Sequence, residues 1–384
     1  MNSPKTREAL RPASSRTPRG RRTRGAARTA VLAAVLLATV IPATTTATAT
    51  AATGAATSAA SSAPAAVADV DVDVDVDVDS GVLPQTVTAS SPELYPEGVA
   101  WDPTREAFLV TSARQGTVSV VEADGTVREL TPSLGLVSTL GIRVDARRGR
   151  ILVAYSDYWV RRMLPVDQPP TSGVAVIDLA SGRLVEKIDT ARGRQNTFAN
   201  DLAVDERTGT VYVTDSVSDT LQQIDVRGRV SDLVTDDRFS DEHIGLNGIA
   251  WHPGGYLLVT RHDSGAMFRI TPDRTPRVSR VVVPASLAGV DGLALRRDGT
   301  LLAVQNTLGA ANGMPGGVNA VSALASDDCW RTARLTRRVE PWPEKPATTV
   351  AVTGRGAYTV SGQMDVLMSG SGEAQEFWLN RLPF

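Results

Sequence analysis

Four oxygen-bearing side chains stand at one position of a pattern that recurs along the 384-residue chain: Glu97, Asn200, Asn247 and Asp291. Each opens a short run of small and apolar residues, as in EGVAWD, NDLAVD, NGIAWH and DGLALR. Two carboxylates match the charge of a divalent cation, and two amide oxygens add hard neutral donors. A set without cysteine or histidine disfavours zinc held through soft ligands. It suits calcium, which takes about 6–8 oxygens, and leaves another divalent cation open. Asn-Gly and Asp-Gly are also ordinary turn pairs, which accounts for two of the four. Turn chemistry does not explain four oxygen donors at one place in a repeat.

The elements that must position these residues follow from the repeat itself. Six copies are legible: residues 97–112, 140–156, 200–216, 247–262, 291–306 and 348–362, with starts 43, 60, 47, 44 and 57 residues apart. Each pairs two apolar strands across an Asp-Pro, Arg-Gly, Thr-Gly, Gly-Gly or Asp-Gly turn and is followed by a further alternating pair. Four strands per unit and six units at this spacing predict an all-β chain: a six-bladed β-propeller of four-stranded antiparallel blades around a central channel. The Gly- and Ala-rich first strand fits the crowded axis. A solenoid or β-sandwich is the competing architecture. In a propeller, the residue ahead of each innermost strand faces the channel mouth. The six occupants are Glu97, Leu140, Asn200 (followed by Asp201), Asn247, Asp291 and Thr348-Thr349.

Loops between second and third strands return to the same mouth. They make Arg114, Tyr155, Trp159, Asp215, Arg261 and His262 mouth candidates, and the loop entering blade 4 adds His243. A histidine there could act as general base. The aromatic insert 155–172 reads either as a lid or as a loop packed on the neighbouring blade. Cys329 and Trp330 read as outer-strand packing. The outermost strand of the last blade could come from residues 83–89 or from 376–382.

The residues Pro96-Glu97-Gly98, Asn200-Asp201, Asn247-Gly248 and Asp291-Gly292 resemble the ligand set of the senescence marker protein/gluconolactonase/luciferin-regenerating enzyme family. The resemblance covers about residues 92–365. The stretch 245–270 is most similar to the calcium-dependent phosphotriesterase-like subgroup. Carried over, the resemblance implies that Glu97, Asn200, Asn247 and Asp291 bind the metal, and that Asp291 and Asp201 are the catalytic carboxylates. Blade 3 reads Asn-Asp-Leu where many lactonases have Asn-Asp-Gly, and Arg194 matches their preceding arginine poorly. The implied function is a calcium-dependent hydrolase of lactone or phosphotriester-like bonds, the metal polarising the substrate oxygen. The alternative is a non-catalytic propeller that binds a ligand or glycan over a structural metal, and strictosidine-synthase-like condensation is a third use of the fold.

Composition sets the remaining bounds. Residues 1–30 hold nine Lys/Arg and one acid, and an apolar run to about Ala43 precedes small residues. That is the layout of a secretory signal peptide over 1–49, cleaved at about 43–55. Residues 50–80, Ala/Ser/Thr-rich and then an Asp-Val tract, read as a disordered tether, with the propeller over 81–384. The whole chain is −2 and residues 1–30 are +8, so the remainder is −10, which argues against nucleic acid. One cysteine excludes an intrachain disulfide. The expectation is a secreted monomer that binds a small molecule and leaves the membrane after cleavage.

Overall fold

The computed structural model describes residues 83–310, 317–340 and 345–384, so the segments expected to be signal peptide (1–49) and tether (50–80) lie outside the described residues. Within them, 24 strands form six four-stranded antiparallel sheets. Counting from the N-terminus, β1 is Thr86–Ser90, and blade 1 comprises β2 (Val99–Asp102), β3 (Ala107–Thr111), β4 (Val118–Val121) and β5 (Val127–Thr131). Blade 2 has β6 (Ser138–Asp145), β7 (Arg150–Ser156), β8 (Ser172–Asp178) and β9 (Leu184–Asp189). Blade 3 has β10 (Ala199–Val204), β11 (Val211–Asp215), β12 (Thr220–Ile224) and β13 (Val230–Thr235). Blade 4 has β14 (Leu246–His252), β15 (Tyr256–Arg261), β16 (Met267–Thr271) and β17 (Arg277–Val281). Blade 5 has β18 (Val290–Leu295), β19 (Leu301–Gln305), β20 (Ala320–Ala325) and β21 (Arg334–Val339). Blade 6 has β22 (Thr349–Thr353), β23 (Gly356–Ser361) and β24 (Glu376–Arg381). The fold is the six-bladed β-propeller that the repeat predicts.

The ring closes in blade 6, whose order is β22-β23-β24-β1. The two terminal segments therefore do not compete for one place. The C-terminal strand is third, and Thr86–Ser90 pairs outside it, Thr86 opposite Asn380.

Alternating side chains on each strand face the two neighbouring blades. Along β3, Phe108 and Val110 pack toward blade 6, while Leu109 packs toward blade 2. Six apolar clusters result, each shared by two adjacent blades around the ring. Phe108 is fully buried between blades 1 and 6, and truncating it to Ala would cost about 3–5 kcal/mol. Outer strands such as β21, RLTRRV, are charged and exposed, which blunts the sheet edge. At the axis the strands nearly touch. A Cβ on Gly98 would lie 2.2 Å from the Leu140 carbonyl oxygen of the next blade, so only glycine fits there.

Among the described residues two short α-helices interrupt the blades: α1 (Val160–Met163) in the blade 2 insert, and α2 (Met364–Ser369) between β23 and β24. No described helix is long and apolar enough to cross a membrane. Cys329 and Trp330 are not in an outer strand. They form the turn between β20 and β21, both at positive φ (59° and 61°), with Cys329 exposed and Trp330 buried against the blade 4–5 core.

Candidate metal centre

Four of the six inner strands carry a register shift at the mouth. The interrupted stretches lie between Thr139 and Ile142, Ala199 and Leu202, Leu246 and Ile249, and Val290 and Leu293. Leu140, Asn200, Asn247 and Asp291 fall inside these bulges, which bend the strand and re-aim its side chains. A small cavity of about 50 Å³ sits over the ring and is lined by Glu97, Asn200, Asn247 and Asp291, together with Leu140 and Thr348. Residues separated by nearly 200 positions thus meet at one end of the channel.

The hydrogen bonds around this ring set the orientation of both amides. Ser216 Oγ donates to the Leu246 carbonyl (2.6 Å), so it can only accept from Asn200, whose Nδ2 lies 3.0 Å away. Asn247 Nδ2 donates to Asp291 Oδ1 (2.9 Å), and Asn306 Nδ2 to Asp291 Oδ2 (2.7 Å). With their N–H groups held in this way, neither Asn200 Oδ1 nor Asn247 Oδ1 accepts a hydrogen bond among the described residues. Thr348 Oγ1 donates to the Glu97 backbone carbonyl (2.5 Å), which leaves the Glu97 carboxylate to the cavity.

Charge in this ring is unbalanced. Burial pushes the Glu97 carboxyl well above its ordinary range, and the negative charges of Asp291 and Asp201 push it further, against a smaller opposing pull from Arg143. Burial likewise raises Asp291 and Asp201. Three desolvated carboxylates face one guanidinium, and two amide oxygens are free beside them. That donor set fits a hard divalent cation held by Glu97, Asn200, Asn247 and Asp291. Among the described residues no group of three or more His, Cys, Asp and Glu side chains forms a metal cage, consistent with a set that is half amide.

Asp201 is not in the cavity lining. Its Oδ1 fills the space that a Cβ on Gly141 would occupy, 2.3 Å away, and accepts from Leu202 N–H (2.8 Å). Its Oδ2 meets Arg143 Nη2 at 3.1 Å. The Arg143 guanidinium also donates to the carbonyls of Ile142 (2.8 Å), Ile249 (3.3 Å) and Leu293 (3.4 Å). Arg143 and Asp201 therefore tie blades 2, 3, 4 and 5 together beneath the ring.

Of the mouth candidates, Trp159 and His262 line the cavity. His262 Nδ1 lies 3.1 Å from Asp263 Oδ1. Burial opposes ionisation of Asp263, but hydrogen bonds from His262 and the Ile244 and His243 N–H groups outweigh it and hold the carboxyl below its usual range. His243 borders a neighbouring groove at the rim, its ring 3.4 Å from Asp263. The remaining four point elsewhere. Arg114 is exposed beside Glu93 (3.8 Å). Tyr155 is buried in the blade 1–2 core under Lys187, its hydroxyl pushed up to about 12 by burial. Asp215 is buried and accepts from Thr197 Oγ1 (2.8 Å) and Phe198 N–H (3.0 Å), pinning the loop before β10. Arg261 braces its own rim, donating to the carbonyls of Arg238 and Ser240.

The insert 155–172 does both things foreseen for it. Tyr158 stacks on Phe198 of blade 3 (4.5 Å between centroids, 7° between planes), while Trp159 lines the cavity. The rest of the roof is Phe198, Ile244, Leu308, Met364 and Met368. Sequence reasoning did not name Phe198, Ile244, Met364 or Met368, nor Ser216 and Arg143. A signal existed for part of the set. Ser216, His262 and Asn306 each follow the second strand of blades 3, 4 and 5 directly, so they hold one register of the same repeat.

Three comparisons bear on this arrangement. The family model described as "SMP-30/Gluconolactonase/LRE-like region" matches residues 95–309. No curated protein matches by sequence. Among solved structures, the allergen Mala s 1 of Malassezia sympodialis superposes with a TM-score of 0.62 at 15% identity, covering 78% of this chain and 96% of its own. A gluconolactonase from Xanthomonas campestris gives 0.53 at 16% identity, covering 78% and 89%. A luciferin-regenerating enzyme gives 0.51 at 13%, covering 78% and 96%. At these identities the structures speak for the fold alone. The family model spans more than half the chain and takes in all four ring residues, and on that ground the chain belongs to the SMP-30/gluconolactonase/LRE-like family.

Proposed function

We propose that this chain is a secreted, calcium-dependent hydrolase of lactone or phosphotriester-like ester bonds, acting as a monomer on a small molecule at the narrow mouth. The observation that carries the reading is the ring itself: two buried or half-buried carboxylates and two amide oxygens with no other partner, beneath a cavity. A divalent cation bound there would polarise the substrate oxygen and stabilise the charge that develops on it. Glu97, Asn200 and Asn247 serve as holders. Asp291 is fixed by two amide donors, which orients its carboxylate as nucleophile or base. Asp201, committed to Arg143 and two backbone N–H groups, holds charge under the ring and does not reach the substrate. His262, oriented through Nδ1 by Asp263, keeps its other ring nitrogen available to take a proton from water.

The test is turnover of a lactone and phosphotriester panel with calcium, repeated after chelation. Absence of chelator-sensitive turnover on every member overturns the hydrolase reading. In that case the alternative of a ligand- or glycan-binding propeller with a structural metal would show as calcium-dependent melting without activity. N-terminal sequencing of protein recovered from culture medium tests export and cleavage at about 43–55.

A further inference from the structure

The cavity has a polar floor and an apolar roof. On the floor, every hydrogen-bonding side chain but Glu97 is committed: Asn200 and Asn247 through their N–H groups, Asp291 to two amides, Thr348 to a carbonyl and His262 to Asp263. What remains on that side is a small set of oxygens and one imidazole nitrogen, enough for a cation and the reacting ester group. The walls are carbon and sulfur: Leu140, Trp159, Phe198, Ile244, Met364 and Met368. Among the described residues, their one polar side-chain group is the Trp159 indole N–H. The aromatic side is rigid, since Trp159 packs edge-on against Phe198 (6.0 Å, 86°). The opposite side, α2, offers thioether chains that adapt to different shapes. The volume, about 50 Å³, holds roughly three to five waters at ~10–15 Å³ each, which is room for a small ring with a short substituent.

We infer that the site takes a small lactone or ester with an apolar body and discriminates against polyhydroxylated lactones; this rests on the hydrolase reading above. A sugar lactone presents hydroxyls around its ring. Against these walls they would leave water and find no partner, whereas methylene groups would be buried favourably. In the reaction, water adds to the ring carbonyl carbon and the carbonyl–ring-oxygen bond breaks. The ring oxygen leaves as the alcohol, carrying a proton, and the carboxylic acid releases its own.

The experiment measures kcat/KM for δ-valerolactone, methyl-substituted δ-hexalactone and D-glucono-δ-lactone with calcium, each divided by its own uncatalysed rate. The alkyl lactones should be favoured by at least ~100-fold, the scale on which an apolar pocket rejects an added hydroxyl. Gluconolactone within tenfold of the alkyl pair overturns the inference and leaves the hydrolase reading standing. No chelator-sensitive turnover of any of the three takes both down. A second arm uses Met364→Gln and the more exposed Met368→Gln, with melting temperature as the check on folding. A folded variant should lose roughly tenfold of the alkyl preference, chiefly through KM. An unchanged preference in both overturns the wall assignment.

Discussion

The two mouths of the channel differ in the opposite sense from what their sizes imply. The mouth at the C-terminal ends of the inner strands is a funnel of about 1080 Å³, lined by Trp101, Arg147, Asp205, Trp251 and Arg297 among others. The mouth at their N-terminal ends holds only about 50 Å³. In the wide funnel each buried acid has its guanidinium: Asp145 has Arg148 and Arg150 at 3.3 and 3.0 Å, and Asp205 has Arg207 at 3.9 Å. Asp102, in the same end of blade 1, is held below its ordinary pKa; burial opposes this, but hydrogen bonds from Thr104 and Arg105 outweigh it. In the narrow mouth Asp291 and Glu97 have no ion-pair partner among the described residues, Arg143 acting on Glu97 only at a distance, and both are pushed upward by burial. Volume reflects how blades splay, whereas buried charge left unbalanced by the protein marks where a cation or a reaction belongs.

The largest effect should come from breaking that imbalance directly. Asp291→Asn keeps the shape and removes the charge. It should lower kcat on any turned-over lactone by at least ~1000-fold, about 4 kcal/mol. The melting temperature should move by no more than a few degrees. A fall of ten degrees or more with activity per folded molecule preserved would make Asp291 a staple of the ring and return the site to the structural-metal alternative.

Arg143→Met should have the next largest effect, on stability. Asp201 would be left buried without its partner, at a cost of about 3 kcal/mol, or roughly 5 °C in Tm for a domain of this size. Thermal melts of Arg143→Met, Asp201→Asn and the double variant measure this. The double should recover most of the loss, and additive losses would show that the two groups do not act as a pair.

These two residues also mark where the sequence could be read and where it could not. The blades were legible because strand, turn and strand recur with the same small-residue signature, and the ring was legible because it holds one register of that recurrence. Asp201 sits one residue further on. A bulge sends successive side chains to different levels of the channel, so adjacency to Asn200 does not place it beside the cavity. Arg114, Tyr155, Asp215 and Arg261 lie on backbone that does return to the mouth, yet strand alternation and local pairing turn their side chains into the core or the rim. The roof of Phe198, Ile244, Met364 and Met368 has no periodicity to announce it, because it is assembled from three different connections that meet only in the closed ring. Ring closure itself was ambiguous in sequence, since two apolar terminal segments suited one vacancy and the fold has places for both.

A smaller effect links pH to the metal. The Glu97 carboxyl is raised in the folded state above its ordinary value of 4.5. A group raised on folding favours the folded state at low pH, and that contribution disappears as pH climbs from 4.5 through the raised value. Without calcium, Tm should therefore decline over that range. Calcium binds the ionised ring, so its stabilisation should be slight near pH 4.5 and grow toward pH 8. At a hundred times Kd it would reach about 2.7 kcal/mol. Calorimetry with and without calcium across this range measures it, and Glu97→Gln should flatten both curves. A calcium effect independent of pH would detach the metal from Glu97.

The smallest effect belongs to the wide mouth. Arg297 is exposed in the funnel, with no ion-pair partner among the described residues. Arg297→Met should change stability by less than about 0.5 kcal/mol and leave lactone turnover unaltered. The result matters because Arg143 borders this funnel while its guanidinium reaches Asp201 beneath the ring. If charge in the funnel altered turnover several-fold, the field would be passing through that one guanidinium, and the two mouths would form a single electrostatic unit. A null result in the melt and in the assay together keeps the chemistry at the narrow mouth, with Arg143 as the plug that separates it from the wide one.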